Sequence, residues 1–337
     1  MLWKPRGEYY KKDPCAPGFD FQGHGSLDSA LNPGRSIPGR TLIRYVFARR
    51  FASILALLAA GACGPVPEEE AAQAGAEAPS VAAPQSHANV PASFKRSASG
   101  GVLDTGDFVV KYGETRNEDY LELEAVFKET RLLEDTVKEL NGQFALPADV
   151  PVVLRECGEV NAFYDPETGE ISLCYELVEH YSEIFMADAQ TEEEQEEAGT
   201  SVASATVFTF FHEMGHALIA IYDLPVTGKE EDAVDQLATM ILLEGGEEGE
   251  NAAIDGANSF VGEDEEEMDD LSFWDEHSFD EQRFYNILCW IYGKDSEGYQ
   301  YLVDDETLPA NRAERCPAEY DRMSRSWEAL LAPYVKG

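Results

Sequence analysis

Basic residues are scarce. The chain of 337 residues has 65 Asp and Glu against 25 Lys and Arg, a formal net charge of −40. Nine of those basic residues but only four of the acids precede residue 63, so the rest is more acidic still. Such a surface repels phosphate backbones and anionic headgroups, which excludes a nucleic-acid binder. It suits a salty or extracytoplasmic setting, or a basic substrate. Long apolar runs are also missing: nothing reaches the roughly 20 residues a membrane-spanning helix needs. No CxxC pair suggests a zinc knuckle, and histidine is rare, with six in all. Core material is not lacking. At 44% hydrophobic the chain is neither disordered nor collagen-like, and its length suits one or two domains.

The longest apolar stretch, residues 51–62 (FASILALLAAGA), follows Arg44, Arg49 and Arg50 and ends in small residues before Cys63. That layout is a secretory signal peptide. Ala60-Gly61-Ala62-Cys63 resembles a bacterial lipobox, with Ala where Leu is more usual. The resemblance implies an exported protein of the bacterial cell envelope, periplasmic or outer-surface, with Cys63 lipidated and the lipid as its only membrane contact. An ordinary secretory cut or a short buried helix would use the same residues. Residues 1–41 are too long and too polar for an n-region, which points to a true start near Leu42 or Val46. Residues 63–101, rich in Ala, Pro, Glu, Ser and Gly, cannot bury enough apolar surface to order and read as a tether. The chain thus divides into 1–62 (extension and signal), 63–101 (linker) and 102–337 (folded domain).

Cys157, Cys174, Cys289 and Cys316 remain in the folded part. An even number in an exported domain suggests disulfides, of three conceivable connectivities. The pairs nearest in sequence are Cys157–Cys174 and Cys289–Cys316. Strand patterns occupy 107–112 (DFVVKY) and 150–155 (VPVVLR), and 161–164 with 171–175 flank a Pro-Glu-Thr-Gly turn as a hairpin. Helical periodicity covers 118–140, 176–187, 204–222, 229–243, 280–292 and 317–331. The acidic stretches 191–197 and 244–270 read as solvated loops.

The chemistry concentrates in His212-Glu213-Met214-Gly215-His216, inside an apolar helix. Residues i and i+4 lie one turn apart on one face, so both imidazoles reach one cation. Glu213 can reach a water beside that ion without binding the ion itself. The flanking Phe208, Phe210, Phe211, Leu218, Ile219 and Ile221 bury the helix, and unpaired buried His and Glu would be costly. A third ligand is expected from the next helix, beyond a turn at Pro225 and Gly228. Glu231 and Asp235 are again i and i+4. Glu231 is assigned as the ligand, with Asp232 or Glu230 as its rivals, and Asp235 accepts an N–H from a ligand imidazole. Two nitrogens and one oxygen, with a fourth position open, suit one Zn²⁺ per chain.

H-E-x-x-H followed by E-x-x-x-D resembles the gluzincin metallopeptidases, the thermolysin-like group among them, with a shorter spacing from His216 to Glu231. Asn161-Ala162-Phe163-Tyr164 is similar to a segment of that group which lies on the sheet edge and binds substrate backbone as an added strand. As a set, CGEVNAFYDP…ISLCYEL, FFHEMGHALI, EEDAVDQLA and DEQRFYNILCWIYG resemble a bacterial metallopeptidase family catalogued as a domain of unknown function, from about residue 107 to the end.

The resemblance implies an α+β, zincin-like fold. A small mixed or antiparallel sheet with an edge-strand hairpin packs on the H-E-x-x-H helix, followed by a mostly helical C-terminal part. It implies zinc-dependent hydrolysis of a peptide or protein substrate, with Glu213 moving protons. Asn161, Ala162 and Phe163 hold substrate by that resemblance; His277 is a candidate for stabilising the oxyanion, with Tyr285 and Arg283 able to share that role and a surface-loop histidine as the alternative reading. His180 reads as structural. A zinc-binding envelope lipoprotein without proteolysis, or a hydrolase of another amide, are the alternatives. Substrate preference and oligomeric state are not legible.

Overall fold

The computed structural model describes residues 103–261 and 278–336. The leader, the lipobox with Cys63, the tether and His277 lie outside them. The elements run β1 (Phe108–Tyr112), α1 (Glu118–Thr130), α2 (Leu132–Gln143), β2 (Val150–Arg155), β3 (Ala162–Asp165), β4 (Glu170–Cys174), α3 (Tyr175–Met186), α4 (Glu192–Tyr222), α5 (Glu230–Glu244), α6 (Gly246–Asn258), α7 (Asp280–Lys294), α8 (Tyr301–Asp304), α9 (Ala310–Ala313) and α10 (Cys316–Leu331). This is an α+β arrangement with a small mixed sheet.

The strands order β1-β2-β4-β3; β1, β2 and β4 are parallel, and β3 closes one edge antiparallel to β4. Side chains alternate across the sheet. Phe108, Val152, Leu154, Ile171 and Leu173 are buried on one face, and the register puts Ala162 and Tyr164 on that face too. The opposite face carries Lys111, Ser172 and an Arg155–Glu170 ion pair. Cys157–Cys174 ties the loop ahead of β3 to the end of β4, and Cys289–Cys316 ties α7 to α10. Both are the neighbour pairings.

Three sequence expectations need correction. The single helix over 118–140 is two, because Arg131 adopts a left-handed conformation (φ 57°) that ends α1 and starts α2. The acidic stretch 191–197 is helical. Thr191 and Glu194 form a capping box, and three glutamates in the first turn meet the positive end of the helix dipole. Helix α4 therefore has 31 residues and begins well before the expected residue 204. The first part of 244–270 likewise folds, as α6, which packs on α4 and buries Ala252, Ala253 and Ala257. There Gly256 lets the backbone approach: a Cβ would sit 2.3 Å from the Phe208 ring.

From Ala198 to Tyr222, α4 is buried on nearly every side, against α3, α5, α6 and the β3–β4 hairpin. A helix apolar all round belongs in a core. The H-E-x-x-H segment is thus held rigidly, beside the sheet edge.

Candidate metal centre

Helix α5 returns antiparallel to α4, since His212 pairs with Asp235 and His216 with Glu230 and Glu231. Asp223, left-handed at φ 53°, ends α4 and turns the chain. Gly215 sets the closeness of the two helices. A Cβ there would lie 2.7 Å from Cγ1 and 2.8 Å from Cβ of Val234, so only glycine admits α5 at this distance.

His212 Nε2 lies 3.1 Å from Glu231 Oε2, and His216 Nε2 lies 3.4 Å from Glu231 Oε1. The three ligand atoms of His212, His216 and Glu231 fall within 4.8 Å of one another. The rings meet edge to face at 5.1 Å. Each Nδ1 is separately engaged: that of His212 donates to Asp235 Oδ1 at 2.7 Å, and that of His216 to Glu230 Oε1 at 2.8 Å. With Nδ1 carrying the hydrogen, the Nε2 lone pairs are the ones that aim at the shared point, which is how carboxylate partners orient ligand imidazoles. The residues therefore fit a divalent cation. The other donor group among the described residues, Cys157, Cys174 and Glu176, has both sulfurs in a disulfide.

The electrostatics agree. Burial opposes a charged His216, but hydrogen bonds to Glu230 and Glu231 and the charges of Glu213 and Glu231 prevail, pushing its pKa up to about 10. His212 is raised as well: burial would lower it, but Asp235 and Glu231 outweigh that desolvation. The cluster is built to hold positive charge, and a bound cation would replace the protons. Asp235, 2% exposed, is pulled down to about 2. Burial would raise it, but the Arg283 charge and the His212 hydrogen bond reverse that.

Arg283 is engaged by Asp235: its Nε and one terminal nitrogen each donate to that carboxylate at 2.8 Å, while the guanidinium lies 3.9 Å over the Phe260 ring. It acts through Asp235 on the orientation of His212. Glu230, a rival ligand in the sequence reading, instead holds His216. The other rival, Asp232, accepts from Ser278 at 2.6 Å. Glu213 Oε1 lies 4.0 Å from His212 Nε2, beside the cluster.

Tyr285 is two residues beyond Arg283, about 200° round α7, and its ring meets that of Phe284 edge to face. His180 lies apart, on α3, 3.8 Å from Glu183. Asn161 precedes β3, and its carbonyl accepts from Cys174 N–H at 3.2 Å. Alternation in an antiparallel ladder then turns the backbone groups of Phe163 inward to β4, and those of Ala162 and Tyr164 outward along the open edge.

Over residues 112–331 the sequence matches the model of a family described as "putative metallopeptidase". The chain belongs to that family. The matched span contains the two histidines, Glu213, Glu230, Glu231, Asp235 and Arg283, so the whole cluster is a feature of this metallopeptidase-family domain. No curated protein and no solved structure matches the chain.

Proposed function

We propose that the chain is a zinc-dependent peptidase of gluzincin type with a zincin-like fold. The observation that carries this reading is the convergence of two Nε2 atoms and the Glu231 carboxylate on one point, with both Nδ1 atoms tied back and Glu213 alongside. His212, His216 and Glu231 would hold the ion. When bound, zinc supplies Lewis-acid polarisation of a carbonyl and brings the pKa of water toward neutrality. Glu213 takes the proton of the attacking water and returns it to the leaving nitrogen. The outward backbone of Ala162 and Tyr164 pairs with an extended peptide as an added strand, flanked by Asn161 and Phe163. His277 donates to the developing oxyanion.

The site is tested by metal analysis of the purified protein and by cleavage of casein or a peptide library. One zinc per chain, with cleavage abolished by a chelator and by Glu213→Gln, is expected. A metal-free protein, or a fully active Glu213→Gln variant, overturns the reading.

We also propose export to the cell envelope with Cys63 as lipid anchor, supported by the leader layout and by two disulfides in the folded domain. Mass spectrometry of the mature amino terminus should find a diacylated Cys63 and no peptide from residues 1–40. An unmodified Cys63 within a longer chain would refute it.

A further inference from the structure

A cavity of about 380 Å³ opens between α5, α7, α9 and α10. It adjoins the metal centre through two helices. On α5, Glu231 and Asp235 face the histidines, while the residues directly after each, Asp232 and Gln236, line the cavity. On α7, Arg283 grips Asp235, and Asn286 and Trp290, three and seven residues further along the same stripe, continue into the cavity wall.

The lining has both signs of charge, and of its two acids Glu319 is ion-paired while Asp232 accepts from a neutral hydroxyl. The partners are Arg312, at 2.7 Å, and Ser278. Arg322, one turn along α10 from Glu319, lines the same space, and its guanidinium has no hydrogen-bond or ion-pair partner among the described residues. The carboxamide of Gln236 is in the same condition. Arg322 is exposed at the rim of this open cavity, and with no carboxylate of its own among the described residues its guanidinium is available to an incoming anion. A guanidinium fork beside an amide donor matches a planar carboxylate, and the Trp290 ring supplies an apolar wall for the group that carries it. Ligand pockets begin at about 300 Å³, so the volume suits one terminal residue or a small organic acid.

We propose that this cavity is a carboxylate-binding site, with Arg322 as the cation that grips the anion. The carboxylate is either the free C-terminus of a peptide running on from the metal centre or a small free acid. The first source rests on the peptidase reading; the site itself does not.

Binding is measured by calorimetry on metal-loaded Glu213→Gln protein, with and without Arg322→Gln, for three probes. These are succinate, a tripeptide with a free C-terminus, and the same tripeptide amidated. Binding of succinate or the free acid, rejection of the amide, and a loss of about tenfold or more with Arg322→Gln support the site. A free acid that binds more tightly than succinate identifies the peptide terminus as the source, and succinate alone identifies a small acid. Equal binding of acid and amide, indifference to Arg322→Gln, or no binding by any probe overturns the site. Casein hydrolysis by wild type against Glu213→Gln, run separately, reports on the peptidase reading, so the two failures cannot be confused.

Discussion

Asp235 shows how much one buried carboxylate can organise. It accepts from His212 on one side and from both arms of Arg283 on the other, so His212 has a single tautomer and a single ring orientation. Replacing it by Asn keeps the shape but weakens the acceptor, and partners of ligand imidazoles are typically worth about 10- to 100-fold in metal affinity. Asp235→Asn is therefore expected to weaken zinc binding by that order while leaving the fold intact, measured by competition with a chromogenic chelator. Arg283→Gln removes the countercharge of a buried acid, which costs about 3 kcal/mol where a close pair is broken. Its thermal midpoint should fall, and combining it with Asp235→Asn should recover part of the loss. Glu213→Gln should retain the metal and lose about 10²- to 10⁴-fold in turnover. Equal metal loss in that variant would make Glu213 a ligand instead.

At the level of elements, the α4–α5 hairpin is fixed by a contact with no room to spare. Gly215→Ala adds a methyl 2.7 Å from Val234 Cγ1. Overpacking of this kind costs about 1–3 kcal/mol, against about 1 kcal/mol gained in helix propensity. Because Glu231 rides on α5, metal affinity should fall further than stability does, and Val234→Ala on the same background should restore part of it. The far end of α4 behaves differently. Thr191→Ala removes a cap worth about 1 kcal/mol, so hydrogen exchange should quicken in the first turns with zinc affinity unchanged. The sequence made the H-E-x-x-H and E-x-x-x-D pairs legible because helical spacing is a local property. It could also have yielded the start of α4, since Thr191 followed by Glu194 is a capping signature hidden inside an acidic run. Arg283 was not legible as the partner of Asp235. The two are 48 positions apart, and only the packing of α7 on α5 joins them.

At the scale of the molecule, the sheet order escaped the sequence for the same reason. Parallel pairing of β1, β2 and β4 depends on crossovers, whereas the β3–β4 hairpin announced itself by its turn. Two disulfides brace separate regions, closing separations of 17 and 27 residues. Each should contribute about 3 kcal/mol by restricting the unfolded chain. Reduction should lower the thermal midpoint clearly. The Cys157→Ala/Cys174→Ala pair should also raise proteolytic cutting in the loop ahead of β3, where Glu176 accepts from the N–H groups of Cys157 and Gly158.

All three proposed metal donors come from one helical hairpin, between positions 212 and 231, whose walls are already packed without them. An ion held there fastens neighbours that would stay together anyway; it does not join distant parts of the chain. Stripping it with a chelator should therefore silence the protein and leave its circular dichroism spectrum nearly unchanged, so that metal supply alone could turn the molecule on and off while it remains folded.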